Sequence, residues 1–497
     1  MSSALHQPVL CVCLADLPRL DLAGLMQACS EHIHNGARVL TLFGRMQTLA
    51  TKDVVLTAVF LSPSLGLVAL QGHAQADDSY DSLTLRHPAM HIFERELWEQ
   101  TGITPVGHPW LKPVRYERDR QQQMSSYPFF KVRGAEVHEV GVGPIHASVI
   151  EPGHFRFMCL GERVQHLEIQ LGYQHRGVEA LLLQRPPLAL TPLVESIAGD
   201  TSVTYAVGYC AAIEALAGTK LSAGATLVRG VALELERIAI HLASVTGLAA
   251  DIAFLQGGAT YGRLRTAIIN ASMRCCGSRF GRSWVRPGGV RFGLDAERRA
   301  DLKNTLAAFA KDLADINALM LNARTVRPRL QGIGQLPINA AQDLGLWGLV
   351  ARASGLHVDV RACLPGQLYS HFPVEEHTET GRDCWALLRL RLKEIESSVR
   401  GINRALESSA LQDAVPSPLP LPALRSSHLC VSVCEGPRGP VLHALETDDS
   451  AQLAHYKVQD PSLQTWFALA MSLRDNDISD FPICNKSFDL SYCGNDL

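Results

Sequence analysis

The stretch TLVRGVALELERIAIHLASVTGLAADIAFL, residues 226–255, decides how most of the chain folds. Its apolar residues recur every three or four positions, which is the period of one face of an α-helix. They are Leu227, Val231, Leu235, Ile238, Leu242, Val245, Leu248 and Ile252. Residues 382–406 repeat the same spacing with leucine, isoleucine and valine. The pattern therefore predicts long helices in the second part of the chain.

Charged residues interrupt this apolar stretch. Arg237 and His241 are four positions apart and share a helix face, and Glu236 lies beside Arg237. A lone charge in a protein core is costly, so such groups must be paired or must face water. Residues 231–252 leave little polar surface for a solvated face. The stretch therefore predicts a buried polar network.

The first part of the chain has a different pattern. Two short apolar runs, residues 54–61 and 65–70, flank the turn Ser62-Pro63-Ser64 and predict two neighbouring strands. A helix is predicted over residues 90–101, and Gly102 suits its C-terminal end. We expect a small α/β domain over residues 1–118.

The remaining boundaries follow from composition. The polar run that begins at Asp119 predicts a linker over residues 119–136. Residues 137–497 are expected to form a mainly helical domain with peripheral β-hairpins, which makes the fold class α+β. The proline-rich residues 415–422 predict an extended connection, and residues 435–445 predict a short hairpin.

Whole-chain composition excludes several classes of protein. With 47% hydrophobic residues, 19% charged residues and a net charge of −3, the chain has no strongly basic balance suited to nucleic acid as its main partner. The start of the chain lacks the pattern of a secretory signal, and no run of about 20 residues is free of polar breaks. Thirteen scattered cysteines suit a reducing cytoplasm. No glycine-rich dinucleotide motif and no phosphate-binding P-loop motif is present.

Two groups of motifs resemble known families. The segment Gly143-Pro144-Ile145-His146, followed by EPGHFR at residues 151–156, resembles the opening of the large subunit of nickel–iron hydrogenases. It is most similar to the energy-converting, formate-hydrogenlyase and hydrogenase-4 kind, and to the 49 kDa quinone-site subunit of complex I. Residues 94–99, 102–103 and 107–111 resemble the 30 kDa subunit of complex I. The two modules occur fused in this order in formate-hydrogenlyase-type complexes.

The resemblance also shows where metal ligands belong. In such hydrogenases, two C-x-x-C pairs hold nickel and iron. The first pair falls in residues 195–202, with Ala198 and Thr201 at the ligand positions, and the second falls in residues 487–494, with Ser491 and Gly494. Nickel and iron at such sites need soft thiolate donors, and alanine and glycine have no donor atom in their side chains. The resemblance therefore implies a hydrogenase-like scaffold that binds no metal or other cofactor itself.

Other residues are carried over from the same motifs. The resemblance implies a proton-handling cavity that contains Glu151, His146, His154 and Asp200. It also implies cavity arginines, which are Arg156, Arg286 and Arg361. An alternative is that His154 and Arg156 only tie one strand to its neighbours. After Arg361 the sequence continues Ala362-Cys363-Leu364-Pro365, which departs from the family pattern.

The function implied is that of a large peripheral-arm subunit in an energy-converting, complex I-like oxidoreductase that has lost hydrogenase activity. The partners implied are a small subunit carrying an iron–sulfur cluster, antiporter-like membrane subunits and quinone-site membrane subunits. The expected location is cytoplasmic, peripheral to the inner membrane through those partners. Two alternatives remain open at this stage: an active formate-hydrogenlyase-type hydrogenase, and a non-catalytic scaffold that couples a soluble module to a membrane ion pump.

Overall fold

The fold was determined from a computed structural model, which describes residues 7–47, 52–117, 124–147, 150–372, 374–413 and 421–497. Within these ranges no helix has both the length and the apolar character needed to cross a bilayer. Strands and helices both contribute substantially, in agreement with the α+β prediction. The predicted proline-rich connection and the first residues of the predicted linker lie mostly outside the described ranges.

The N-terminal part contains a four-stranded sheet in the order β2-β5-β4-β3. Its strands are β2 (Arg19–Asp21), β3 (Arg38–Met46), β4 (Asp53–Ser62) and β5 (Gly66–Gln75), and the parallel pair β6 (Ser79–Asp81) and β7 (Thr104–Val106) lies beyond them. Helices α1 (Leu22–His34) and α2 (His91–Thr101) pack against this sheet. The predicted strand pair and helix are confirmed. Gly102 ends α2 with a φ of +93°, a left-handed conformation that glycine adopts without strain.

The first strand of the chain belongs to a different sheet. Strand β1 (Val9–Cys13) pairs antiparallel with β13 (His428–Glu435), and the sheet continues through β14 (Pro440–Thr447) and β15 (Leu453–Gln459). The hairpin predicted around residues 435–445 is confirmed as the β13–β14 turn. Buried ion pairs join this sheet to the N-terminal part, since Lys457 contacts Glu96 at 2.6 Å. The two parts of the chain therefore share a charged, solvent-shielded contact.

The rest of the second part is helical apart from two small sheets. The antiparallel sheet comprises β8 (Val137–Val142), β9 (His154–Leu160) and β10 (Arg163–Gln170), and a short hairpin comprises β11 (Val285–Arg286) and β12 (Gly289–Val290). The helices are α3 (Val178–Leu183), α4 (Thr191–Val194), α5 (Ser202–Ala217), α6 (Ala223–Asp251), α7 (Leu255–Cys276), α8 (Ala296–Asn322), α9 (Ile338–Asp343), α10 (Gly348–Ala353), α11 (Val360–Cys363), α12 (Gly366–His371), α13 (Cys384–Glu407), α14 (Ser462–Ser472), α15 (Phe481–Phe488) and α16 (Tyr492–Asp496).

Helix α6 is the centre of this part. It packs against α7, α13 and α5, and most of its residues are buried, on all faces of the helix. The predicted helix over residues 226–255 is confirmed as far as Asp251, after which Leu255 already begins α7. The prediction over residues 382–406 is confirmed as α13. Because α6 is surrounded, its charged residues face other helices rather than water.

Candidate functional site

The two segments that correspond to the missing cysteine pairs lie side by side, although nearly 300 residues separate them. Arg438, in the β13–β14 turn, joins them: its guanidinium donates to both carboxylate oxygens of Asp200, at 3.1 and 2.8 Å, and its Nε–H donates to the carbonyl of Asp489. Cys493 adds a second link, because its thiol lies within hydrogen-bonding reach of the Gly199 backbone. We call residues 198–201 and 489–494, with Arg438, the degenerate pocket.

Arg438 sets the charge state of this pocket. Burial raises the pKa of Asp200, but the charge and hydrogen bonds of Arg438, together with the hydrogen bond from Thr201, hold that pKa below its usual range. Asp200 is therefore an ionised partner of Arg438. Asp489 lies 3.5 Å from the same guanidinium, so one arginine serves two carboxylates.

A carboxylate fills the space beside Gly494. A Cβ atom added at this glycine would lie less than 3.0 Å from Oδ2 of Asp460, and 2.8 Å from Oγ of Ser491. Asp460 is held there by two hydrogen bonds, since it accepts from the Tyr205 hydroxyl and from the backbone N–H of Ser462. The second ligand position of the late pair therefore has no room for a side chain.

At the other three ligand positions, the side chain either has no donor atom for a metal or forms a hydrogen bond within the protein. Ala198 is fully buried and carries no polar atom in its side chain. The Ser491 hydroxyl caps α16 by accepting the Gly494 N–H at 2.9 Å, and the Thr201 hydroxyl bonds Asp200 at 3.3 Å. Across the described ranges, no three histidine, cysteine, aspartate or glutamate side chains are arranged to hold a metal ion. The donor set does not fit a nickel–iron centre, which requires thiolates.

Glu151 lies at the edge of the degenerate pocket. Its carboxylate is exposed and contacts the Cys493 thiol. Burial, and then the negative charge of Glu151, raise the pKa of Cys493 to about 11, so this thiol is protonated at neutral pH. A solvent-accessible carboxylate thus touches a thiol that in turn contacts Gly199. Through this contact the loop at residues 143–156 reaches the pocket.

The two predicted histidines have local partners. The ring Nε2 of His146 bonds the carbonyl of Gly153 at 2.8 Å, and Nδ1 of His154 bonds the carbonyl of Gly143 at 3.1 Å. Arg156 lies on β9, where it pairs with Glu139 at 3.0 Å. These contacts close the loop upon itself and favour the alternative in which His154 and Arg156 tie strands together.

The two remaining arginines lie in different places. Arg286 donates to the Ser283 hydroxyl at 3.1 Å, and its charge lies close to Glu195 at the start of the early segment. Arg361 is fully buried, and it pairs with Asp359 at 2.6 Å and with Glu234 at 3.5 Å. The resemblance implies a cavity arginine at this position, and in the structure its guanidinium forms part of a buried ion cluster.

That cluster confirms the buried polar network predicted from α6. We call it the central ion cluster; its members are Glu234, Arg237, His241, Arg352, Asp359, Arg361, Glu394 and Glu435. Glu394 on α13 is its hub, since it contacts Arg352 and accepts a 2.7 Å bond from His241. Glu236 is not a member. It instead accepts the backbone N–H groups of Val203 and Thr204 at the start of α5.

Burial and neighbouring charges shift the pKa values of the members of the central ion cluster in different directions. Burial lowers the pKa of His241 to about 4, in spite of its bond to Glu394, so the imidazole is neutral. Burial raises the pKa of Glu394, but Arg352, the hydrogen bond from His241 and the charge of Arg361 together hold that pKa well below its ordinary value. Burial, reinforced by Asp359, raises the pKa of Glu435 to about 8. The carboxyl group of Glu435 therefore favours its protonated form near neutral pH.

Sequence reasoning missed Arg438 in the degenerate pocket and Asp460 beside it. Arg438 lies in Glu435-Gly436-Pro437-Arg438-Gly439, a pattern that by itself indicates only a hairpin turn. Asp460 follows β15 and has no distinguishing motif. The available signal for Arg438 was a charged residue at the tip of a turn rich in glycine and proline, where function often concentrates.

Comparison with known proteins gives a consistent class. Residues 16–131 match the family described as the 30 Kd subunit of respiratory-chain NADH dehydrogenase, and residues 251–417 match that of its 49 Kd subunit. Formate hydrogenlyase subunit 5 of Escherichia coli is 28% identical over 441 residues, which cover 83% of this chain and 76% of that protein. Hydrogenase-4 component G of the same organism is 26% identical over 438 residues, covering 83% and 75%. The carbon monoxide-induced hydrogenase of Rhodospirillum rubrum is 28% identical over 353 residues, covering 71% and 97%.

The fold, the pocket and these matches define a subunit of a hydrogenase- or complex I-type oxidoreductase complex. The chain carries a region of the complex I 30 kDa type followed by a region of the complex I 49 kDa type, and over most of its length it is similar to hydrogenase large subunits. Several relatives are themselves named as subunits or components.

Proposed function

We propose that the chain is the large peripheral-arm subunit of a membrane-associated, energy-converting complex, and that it works without a nickel–iron centre. The observation that carries this proposal is the degenerate pocket. Its four ligand positions offer no thiolate, and Asp460 takes the space beside Gly494. The pocket is nevertheless polar, because Asp200, Arg438 and Asp489 meet at its wall. A polar pocket without a metal suits proton handling better than hydrogen chemistry.

In this proposal Glu151 exchanges protons between solvent and the degenerate pocket. Its carboxylate is exposed on one side and contacts the Cys493 thiol on the other. A carboxylate placed between water and a buried polar group is suited to passing protons between them. The redox centre belongs to a small partner subunit that carries an iron–sulfur cluster. Membrane subunits of antiporter type and of quinone-site type then translocate the ion.

The proposed location follows from the same arrangement. The subunit lies on the cytoplasmic side of the inner membrane and is held there by its partners. An alternative is a scaffold without proton or electron chemistry of its own. The tight fill around Gly494 and the full burial of Ala198 favour that alternative, whereas the exposed carboxylate of Glu151 beside Cys493 favours a proton-handling role.

The variant Glu151→Gln separates the two. It keeps the shape of the side chain and removes only its titration. In inverted membrane vesicles energised with a reduced viologen, ion pumping by the assembled complex should fall by roughly 100-fold if Glu151 transfers protons. Glu162→Gln, an exposed carboxylate in the β9–β10 turn, is the matched control and should pump normally. Full pumping by Glu151→Gln in a correctly assembled complex would contradict the proton-transfer role and support the alternative, a scaffold without chemistry of its own.

A further inference from the structure

A second cavity lies apart from the degenerate pocket. It has a volume of about 240 Å³ and is enclosed by α5, the start of α6, the α11–α12 region and the strands β1 and β13. None of the residues that line it belongs to residues 143–156, 195–202 or 487–494. The nickel-site resemblance therefore says nothing about this cavity.

The middle of the cavity is apolar. One face of α5 supplies Val207, Gly208, Ala211 and Ala215, whose spacing of three to four residues places them in one row along the helix. The opposite wall is supplied by Val9, Val433, Leu364 and Leu368. Strand β1 is fixed over the cavity, because the Val433 N–H donates to the carbonyl of Pro8 at 2.9 Å. An apolar row of this kind suits an unbranched hydrocarbon body.

One end of the cavity is positively charged. Arg229 is almost fully buried and donates to both oxygens of Glu214, at 3.0 and 2.6 Å. Its Nε–H is shielded from solvent and has no hydrogen-bond partner in the described structure. Lys220 lies at the rim, exposed, and forms no ion pair with any residue described. Two cations against one carboxylate leave one positive charge for an anionic group.

The other end is closed by buried polar groups. Tyr369 and Glu435 line it, and Oε1 of Glu435 is shielded without a hydrogen-bond partner among the described residues. Val207 and Glu214 are seven residues apart on α5, so the cavity extends roughly 10 Å between its two ends. That length matches a chain of about eight carbon atoms.

We propose that this cavity binds a straight-chain monocarboxylate of medium length. The carboxylate lies between the guanidinium of Arg229 and the ammonium group of Lys220. The hydrocarbon body lies along the row on α5. The accessible wall is mainly apolar, which disfavours a sugar or a nucleotide, and the charge at the mouth disfavours an amine.

Titration of the full-length chain with sodium octanoate by isothermal calorimetry tests the site. We expect saturable binding of one octanoate per chain, with a Kd on the order of 10–100 μM for a ligand of this size. Octylamine has the same body with the opposite charge, and acetate has the same head without a body. Neither should bind measurably.

Two variants locate the site. Ala211→Leu fills the middle of the cavity and should abolish octanoate binding, whereas Ala307→Leu, at an exposed position of α8, should leave it unchanged. Lys220→Gln changes only the rim and should weaken binding about tenfold. Because Lys220 is exposed, its substitution should not disturb folding. Lys220→Gln therefore still tests the proposal if Ala211→Leu does not fold. Absence of saturable binding, equal binding of octylamine, or undiminished binding by Lys220→Gln would each overturn the proposal.

Discussion

The carboxylate of Asp460 lies where a side chain at position 494 would have to be. Its Oδ2 is less than 3.0 Å from the place of a Cβ atom on Gly494, and the Tyr205 hydroxyl and the Ser462 N–H hold it there. A cysteine at position 494 and an aspartate at position 460 in this conformation therefore exclude each other. The loss of the last cysteine is therefore accompanied by side chains that occupy its space, and it is not an isolated change of one residue.

The first prediction concerns this packing. Gly494→Ala should lower the free energy of unfolding by about 1–3 kcal/mol, because the new methyl group overlaps Asp460 and Ser491 in a filled site. Gly199→Ala is the matched control in the same pocket. Its added Cβ would meet only Arg282, at 3.7 Å, an ordinary contact. Urea unfolding of both variants measures the difference, and equal stability of the two would show that the space beside Gly494 is open.

The second prediction concerns the hub of the central ion cluster. Glu394→Gln should destabilise the chain by about 3–5 kcal/mol, because Arg352 and Arg361 would lose one of the carboxylates that balance their buried charges. Glu396→Gln, two positions along the same helix, removes an exposed carboxylate and should cost less than about 1 kcal/mol. Denaturant midpoints of the two variants provide the comparison. A small effect of Glu394→Gln would mean that water reaches the cluster.

The third prediction concerns pH. The pKa of His241 falls from 6.5 to about 4 on folding, so the unfolded chain binds the extra proton between these values. Stability due to the neutral imidazole is therefore complete above pH 6.5 and is lost as the pH falls toward 4. Between pH 6.5 and pH 5 the loss should be roughly 1.5 kcal/mol for this one group.

The variant His241→Gln isolates that contribution, since glutamine does not titrate and its amide can still donate to Glu394. The difference in stability between the native chain and the variant should shrink as the pH is lowered from 6.5 to 5. Other buried histidines, such as His443 and His455, act equally in both proteins and cancel. If the difference in stability stayed constant with pH, His241 would not be the group that takes up a proton on unfolding.

Much of the fold was predictable because its signals are local. The period of α6 and α13, the turn at Ser62–Ser64 and the glycine after α2 each determine the structure of neighbouring residues. The pairing of β1 with β13 was not predictable, because partners more than 400 residues apart leave no mark on local spacing.

The candidate site was predictable only in part, for a similar reason. The motif at residues 143–156 led to Glu151, whose carboxylate lies beside Cys493. Arg361 resembled a cavity arginine by motif, yet the structure buries it with Asp359 and Glu234. Which of several arginines faces a pocket depends on where carboxylates from distant helices lie, and a single sequence does not record this.

The central claim is that this hydrogenase-like chain works without a nickel–iron centre. The most direct measurement is the nickel content of the native complex, purified from cells grown with ample nickel and analysed by inductively coupled plasma mass spectrometry. The claim predicts iron from the partner subunit and only trace nickel, far below one ion per chain, because Ala198, Thr201, Ser491 and Gly494 provide no thiolate. One nickel ion per chain that persists through gel filtration and chelator treatment would contradict it.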